Sequence, residues 1–200
     1  MTLSRKGFVT LALLAGSLLV VDKAVRTPAN ATHTGRFIRN TSSDLVADVA
    51  VSLNNSGEPV FLNTQNNLKI QLFDLQDVGG QRYKIVSRHS GKCLDVTGFS
   101  TQDGAPIILW DCHGGPNQLW QLGIMTAPGP CGGFGCADLG ITIRAVHSGK
   151  CLDAANPSFP NPPLQGAPLQ QWSCARNAGD SWWRNQTWEL DHLHPPAGPH

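Results

Sequence analysis

The chain has 200 residues, with Lys+Arg 15 against Asp+Glu 14, a net charge of +1 and only 14% charged residues. Neither value favours nucleic acid, whose binding draws on clustered Lys and Arg, and the low charge suits a neutral ligand. Gly at 21 and Pro at 14 exclude a chain built of long uninterrupted helices, and the length left after a leader suits one domain rather than two.

Arg5-Lys6 opens the chain ahead of an uncharged apolar stretch from Gly7 to Val21, and Ala29-Asn30-Ala31 follows as a small-x-small cleavage signal. This is the layout of a secretory signal peptide over residues 1–31, with the mature protein starting near Thr32. An uncleaved signal anchor is the rival reading. Export is favoured because the basic, apolar and small-residue segments come in the expected order. No later segment is apolar enough to span a membrane. The 6 Cys are even in number and none lies in the leader, so an exported chain makes disulfides the default reading.

From about residue 36 the chain repeats itself. The register comes from a heptapeptide, His-Ser-Gly-Lys-Cys-Leu-Asp, present verbatim at His89 to Asp95 and at His147 to Asp153. The first copy is followed by Gly104-Ala105-Pro106, Trp110, Cys112 and Asn117-Gln118-Leu119-Trp120. The second is followed by Gly166-Ala167-Pro168, Trp172, Cys174 and Asn185-Gln186-Thr187-Trp188. A worn copy precedes both. Aligning Asp48 with Asp95 and Asp153 sets Ile38 against Ile85 and Ile143, Gly57-Glu58-Pro59 against the Gly-Ala-Pro turns, and Gln71-Leu72-Phe73 against the Gln-x-Trp ends. The units span about 36–77, 82–124 and 140–192.

Each unit reads as β structure. Tyr83 to Val86, Pro106 to Trp110 and Ile141 to Val146 are short apolar runs bounded by Gly, Pro, Asn, Asp and Ser. No segment beyond the leader keeps an apolar stripe at helical spacing for three turns. One unit alone is too small to bury its apolar side chains, so three must share a core in a closed or radially repeated β architecture. A Gly-rich insertion carrying Cys131 and Cys136 separates the second unit from the third. Residues 193–200 read as a flexible tail, in which His194 and His200 among Pro and Gly make a poor metal site.

Three units in register, each with an Asp, a Gly-led turn and a Gln-x-aromatic end, two of them adding Cys-Leu-Asp and an aromatic two residues before a second Cys, resemble the ricin B-type lectins and β-trefoil carbohydrate-binding modules. The resemblance covers roughly residues 36–192. It implies an all-β fold, a β-trefoil in which a six-stranded barrel is capped by three hairpins, with one sugar pocket per unit. The repeat suggests disulfides Cys93–Cys112 and Cys151–Cys174, each stabilising by roughly 3 kcal/mol on loop-entropy grounds. Cys131 and Cys136 most simply pair with each other.

A neutral sugar offers vicinal hydroxyls and an apolar face of C–H groups. A carboxylate accepts two hydroxyl hydrogens, an amide donates and accepts, and an aromatic ring stacks on the apolar face. The third unit has the complete set: Asp153, Gln170, Trp172 and Asn185, with Gln186 behind the carboxylate. The second has Asp95, Trp110, Asn117 and Gln118, but Ile108 stands where the third has Gln170. The first keeps Asp48 and Gln71, but Asn63 replaces the Trp and Ile70 the Asn, so it reads as structural only. The bland readings are a turn-capping Asp and core Trp residues. Insertions at 156–165 and 175–184 lengthen the third unit, and the second of these brings Trp182-Trp183, which extends the ligand surface or fills a gap.

Gly-x-Ser-x-Gly, His-Glu-x-x-His and phosphate-loop motifs are absent from the sequence. The expectation is a secreted, monomeric, non-catalytic protein without cofactor or metal that binds glycans or polysaccharide of galactose or xylan type. The alternative is a protein-binding or inhibitory trefoil with vestigial pockets.

Overall fold

The computed structural model describes residues 33–49, 55–126, 138–157, 160–176, 180 and 182–192. The leader at 1–31, the Cys131 and Cys136 pair and the tail at 193–200 lie outside the described residues.

Among the described residues twelve strands follow one another: β1 (His33–Asn40), β2 (Val46–Val49), β3 (Glu58–Asn63), β4 (Phe73–Gly79), β5 (Arg82–Ser87), β6 (Cys93–Val96), β7 (Ile107–Trp110), β8 (Trp120–Thr126), β9 (Asp138–Ala145), β10 (Cys151–Ala154), β11 (Leu169–Trp172) and β12 (Trp188–His192). The helical elements among the described residues are four three-residue 3-10 turns. Pairings β12–β1, β1–β4, β4–β5, β5–β8, β8–β9 and β9–β12 close six strands into a barrel. Pairs β2–β3, β6–β7 and β10–β11 form the three hairpins. This is the β-trefoil that the sequence implies, and closing the barrel removes the sheet edges that a three-unit ribbon would leave open.

The repeat register reappears in the core. Ile38, Ile85 and Ile143 are buried at equivalent barrel positions, and Phe73, Trp120 and Trp188 end each unit inside the same cluster. Each tryptophan finds a partner for its one donor: Trp120 Nε1 donates to Leu94 O and Trp188 Nε1 to Leu152 O, both at 3.1 Å. Phe73 asks for none.

The hairpins meet around the pseudo-threefold axis through their turns. Gly57 N donates to Leu109 O at 2.8 Å, Gly104 N to Gln171 O at 2.9 Å, and Gly166 N to Leu62 O at 2.7 Å. Each unit thus donates to the next, and the third donates back to the first. At φ values of 101° for Gly57 and 82° for Gly104, a side chain at either turn would be strained.

Candidate functional site

Asp48, Asp95 and Asp153 lie within the hairpin strands rather than in turns, opposite Phe61, Ile108 and Gln170 respectively. That placement removes the turn-capping reading. All three carboxylates are buried, at 1%, 3% and 2% exposure, and a buried carboxylate must be hydrogen-bonded to be tolerated. The glutamine of each Gln-x-aromatic end does this. Gln71, Gln118 and Gln186 donate Nε2 to Oδ2 of their Asp at 2.8, 2.9 and 3.0 Å. The same nitrogens donate to the carbonyls of Thr64, Asp111 and Ser173. The amide oxygens accept from the backbone of Asn66, His113 and Ala175.

In the third unit Gln170 Nε2 donates to Asp153 Oδ1 at 2.9 Å. Each carboxylate oxygen therefore accepts one amide hydrogen and keeps a lone pair. Burial pushes the Asp153 carboxyl up to about 7, against the opposing pull of the Gln170 and Gln186 amides; the negative charge of Asp103 adds to the rise. Trp172 pairs across the hairpin with Cys151 and stays 38% exposed. Asn185 sits in the 3-10 turn Trp183–Asn185, where its Oδ1 accepts from Asn156 Nδ2 at 3.1 Å.

The second unit distributes the same parts differently. Asn117 Nδ2 donates to Asp95 Oδ2 at 2.9 Å, and His113 Nε2 lies 3.4 Å from the same oxygen. All of these contacts fall on Oδ2, and Ile108 supplies nothing to Oδ1. Asn117 Oδ1 is buried without a donor among the described residues. Burial raises the Asp95 carboxyl from its ordinary value, while Gln118, His113 and Asn117 pull it down. Trp110 is 43% exposed, and Phe99 stacks against His113 with ring centroids 5.9 Å apart.

The first unit is closed. Asn63, in the tryptophan position, donates Nδ2 to Asp48 Oδ2 at 3.0 Å, and Asp48 Oδ1 is buried with no partner among the described residues. The small amide that replaces the aromatic has become part of the packing.

Both tryptophans rest on a neighbouring unit. A Cβ added at Gly57 would lie 3.8 Å from the Trp110 ring and one added at Gly104 3.7 Å from the Trp172 ring, so each ring lies close to a glycine of the preceding unit. The lysine of the heptapeptide spans the same junctions. Lys92 Nζ reaches Asp111 Oδ1 at 2.5 Å and Ser56 Oγ at 3.2 Å; Lys150 Nζ reaches Asp103 Oδ1 at 2.7 Å and Ser173 Oγ at 3.1 Å. Acid and hydroxyl exchange sides between the two junctions. Disulfides Cys93–Cys112 and Cys151–Cys174 tie each Asp strand to the segment following its Trp.

Of the sequence-predicted residues, Asn117 and Gln118 contact Asp95, and Gln170 and Gln186 contact Asp153; Trp110 and Trp172 lie two residues from Ile108 and Gln170 on the same hairpin strands, and Asn185 bonds to Asn156 rather than to the carboxylate. His113, Phe99, Asn156 and the two junction lysines were not singled out from the sequence. A groove of about 220 Å³ lined by Gln81, Gln121, Leu122, Gly123, Thr142 and Arg144 contains none of the repeated residues.

The family model for ricin-type beta-trefoil lectin domain-like sequences matches residues 27–110, 69–130 and 116–195. An agglutinin from Ricinus communis is 34% identical over 108 residues, 52% of this chain and 15% of that protein. The chain spans only 17% and 15% of the length of two curated relatives that it matches. Among solved structures, the designed 3-fold symmetric protein ThreeFoil superimposes with a TM-score of 0.63 at 32% identity, covering 79% of this chain and 98% of that one. The exo-beta-1,3-galactanase 1,3Gal43A from Clostridium thermocellum gives 0.62 at 31% identity, covering 80% of this chain and 31% of that chain.

Proposed function

Since the chain belongs to the family of ricin-type β-trefoil lectin domain-like proteins, we propose that it is a secreted, monomeric, non-catalytic protein that binds glycans through two pockets, one at Asp153 and one at Asp95. The observation that carries this reading is the arrangement at Asp153: a buried carboxylate held by two glutamines, with a spare lone pair on each oxygen, in the same hairpin as an exposed indole. Such a carboxylate accepts two vicinal hydroxyls while the ring takes the apolar face of the sugar. At Asp95 the contacts of Asn117 and Gln118 fall on Oδ2 and leave Oδ1 as the acceptor, and Trp110 supplies the ring. Asn63 and the sealed Asp48 leave the first unit as scaffold.

The repetition of one Asp per unit suits repeated binding better than paired acid and base for hydrolysis. Export is supported by the leader layout at 1–31 and by the two disulfides. The described residues contain no helix long and apolar enough to cross a membrane. Likeness to an exo-β-1,3-galactanase makes galactose-type glycans the first to test, with xylan-type second.

The test is binding of the oxidised mature protein to a glycan and polysaccharide panel, with Asp153→Ala, Asp95→Ala and the double variant, folding being checked by near-ultraviolet circular dichroism. Trp172→Ala and Trp110→Ala, both at exposed positions, serve where an Asp variant does not fold. Selective binding that falls stepwise and vanishes in the double variant is the expected result. Absence of glycan binding by the folded wild type would overturn the proposal in favour of a protein-binding or inhibitory trefoil.

A further inference from the structure

We infer that Trp182 forms a second sugar subsite beside the Asp153 pocket, so that the third unit recognises an oligosaccharide of two or more rings rather than one terminal ring. The inference rests on the reading of Asp153 as a sugar site.

Three observations converge on Trp182. It lies in an insertion: residues 175–184 separate Cys174 from Asn185, where the second unit has only 113–116. Its indole is anchored to the pocket, since Nε1 donates to Ser173 O at 3.1 Å. Ser173 immediately follows Trp172, and its carbonyl also accepts Gln186 Nε2, the group that holds Asp153 Oδ2. One carbonyl therefore links the Trp182 indole to the amide that fixes the carboxylate. The equivalent carbonyls, Thr64 O and Asp111 O, receive the glutamine but no indole.

With its single N–H satisfied, Trp182 still leaves 36% of its surface exposed, so what it presents to solvent is an apolar ring of fixed orientation. The adjacent Trp183 behaves differently: it is half-buried and covered by the Arg184 guanidinium, 5.0 Å from its ring. The insertion packs one tryptophan and presents the other. A rigid exposed aromatic tethered to the residue next to another exposed aromatic, Trp172, offers stacking area with little rotamer entropy to lose. Neither ring brings a charge, so the matching ligand is the apolar face of a neutral sugar one unit along the chain.

Calorimetric titration with methyl β-galactoside, β-1,3-galactobiose and β-1,3-galactotriose, and in parallel with methyl β-xyloside, xylobiose and xylotriose, tests this. A Trp110→Ala background weakens the second unit's pocket without touching its buried carboxylate. One of the two series should gain about tenfold in affinity from one ring to two. Trp182→Ala should abolish that gain while moving single-ring affinity less than about twofold, and Trp182→Phe should keep most of the gain. Equal affinity along the series, or a gain that survives Trp182→Ala, overturns the subsite and leaves the Asp153 pocket standing. Failure of every probe to bind overturns the galactose- and xylan-type assignment and the subsite together.

Discussion

Gln186 holds Asp153 from beneath: Nε2 donates to Asp153 Oδ2 at 3.0 Å and to Ser173 O at 3.1 Å, while Oε1 accepts from Ala175 N at 2.8 Å. Gln118 and Gln71 repeat the arrangement at Asp95 and Asp48. One fully buried amide thus satisfies a carboxylate, a carbonyl and a backbone N–H in every unit. Truncation to alanine takes one donor from the carboxylate and one from the carbonyl and removes the acceptor of the backbone N–H, while Asp48, Asp95 and Asp153 keep Asn63, Asn117 and Gln170 as donors. Gln71→Ala, Gln118→Ala and Gln186→Ala should each lower stability by about 2–4 kcal/mol in urea unfolding. A loss below about 0.5 kcal/mol would mean that water takes over the role of the amide.

The Asp153 carboxyl, pushed up to about 7 by burial, makes stability and binding depend on pH in opposite directions. Against an unfolded value near 3.8, the folded state binds the proton more tightly. Its contribution to stability is therefore largest below about pH 4, declines as pH rises toward about 7, and is flat above. The ionised form, with all its acceptor lone pairs, prevails only above about 7, so sugar affinity at the third unit should rise between about pH 5.5 and 8. Asp153→Asn removes both dependences. Binding by the third unit that is constant across this range would refute the account.

His113 lies 3.4 Å from Asp95 Oδ2 and stacks on Phe99. It is a neighbour of the Asp95 carboxylate that the third unit does not match, since Ala175 follows Cys174 there. In a Trp172→Ala background, which weakens the third unit's pocket, His113→Ala should weaken glycan binding by about threefold to tenfold, since a 3.4 Å contact with a carboxylate contributes less than the about 1.5–3 kcal/mol of a well-formed hydrogen bond to a charged group. An unchanged affinity would assign His113 to packing alone.

Trp172 and Trp110 are exposed, whereas Trp188 and Trp120 are completely buried. Trp172→Ala or Trp110→Ala, at rings that are partly covered, should cost about 1–2 kcal/mol in stability and about tenfold in affinity at its own pocket. Trp188→Ala or Trp120→Ala should instead cost about 3–5 kcal/mol. Thermal melts combined with titration separate the two pairs. A severe stability loss at Trp172 would return it to the core.

The fold was legible because duplication prints each equivalent position several times. The Asp48, Asp95 and Asp153 register, the Ile38, Ile85 and Ile143 barrel positions and the Asn63 substitution all occupy equivalent places in space. Trp110 and Trp172 differ from Trp120 and Trp188 in position within the unit, which was enough to separate exposed rings from core. The contacts between units were not legible. Gly57 to Leu109 and Gly104 to Gln171 are backbone hydrogen bonds, indifferent to side-chain identity. Lys92 and Lys150 find their acid on opposite sides of their junctions, so no single spacing announces them. His113 occurs once and has no repeat to flag it. Asn185 shares the position of Asn117 in sequence, but the longer segment before it brings it to Asn156 instead of the carboxylate.

The circuit of glycine hydrogen bonds around the hairpins, with the barrel closed by β1 against β12, means that no unit has a free face on which to unfold alone. Opening any one exposes the turns of both others, so the three should melt as one cooperative transition although they arose by duplication. A ligand bound at either pocket then stabilises the entire molecule by mass action, not merely its own third of it. An excised repeat would lose the glycine floor lent by its neighbour and, with it, the seat of its tryptophan.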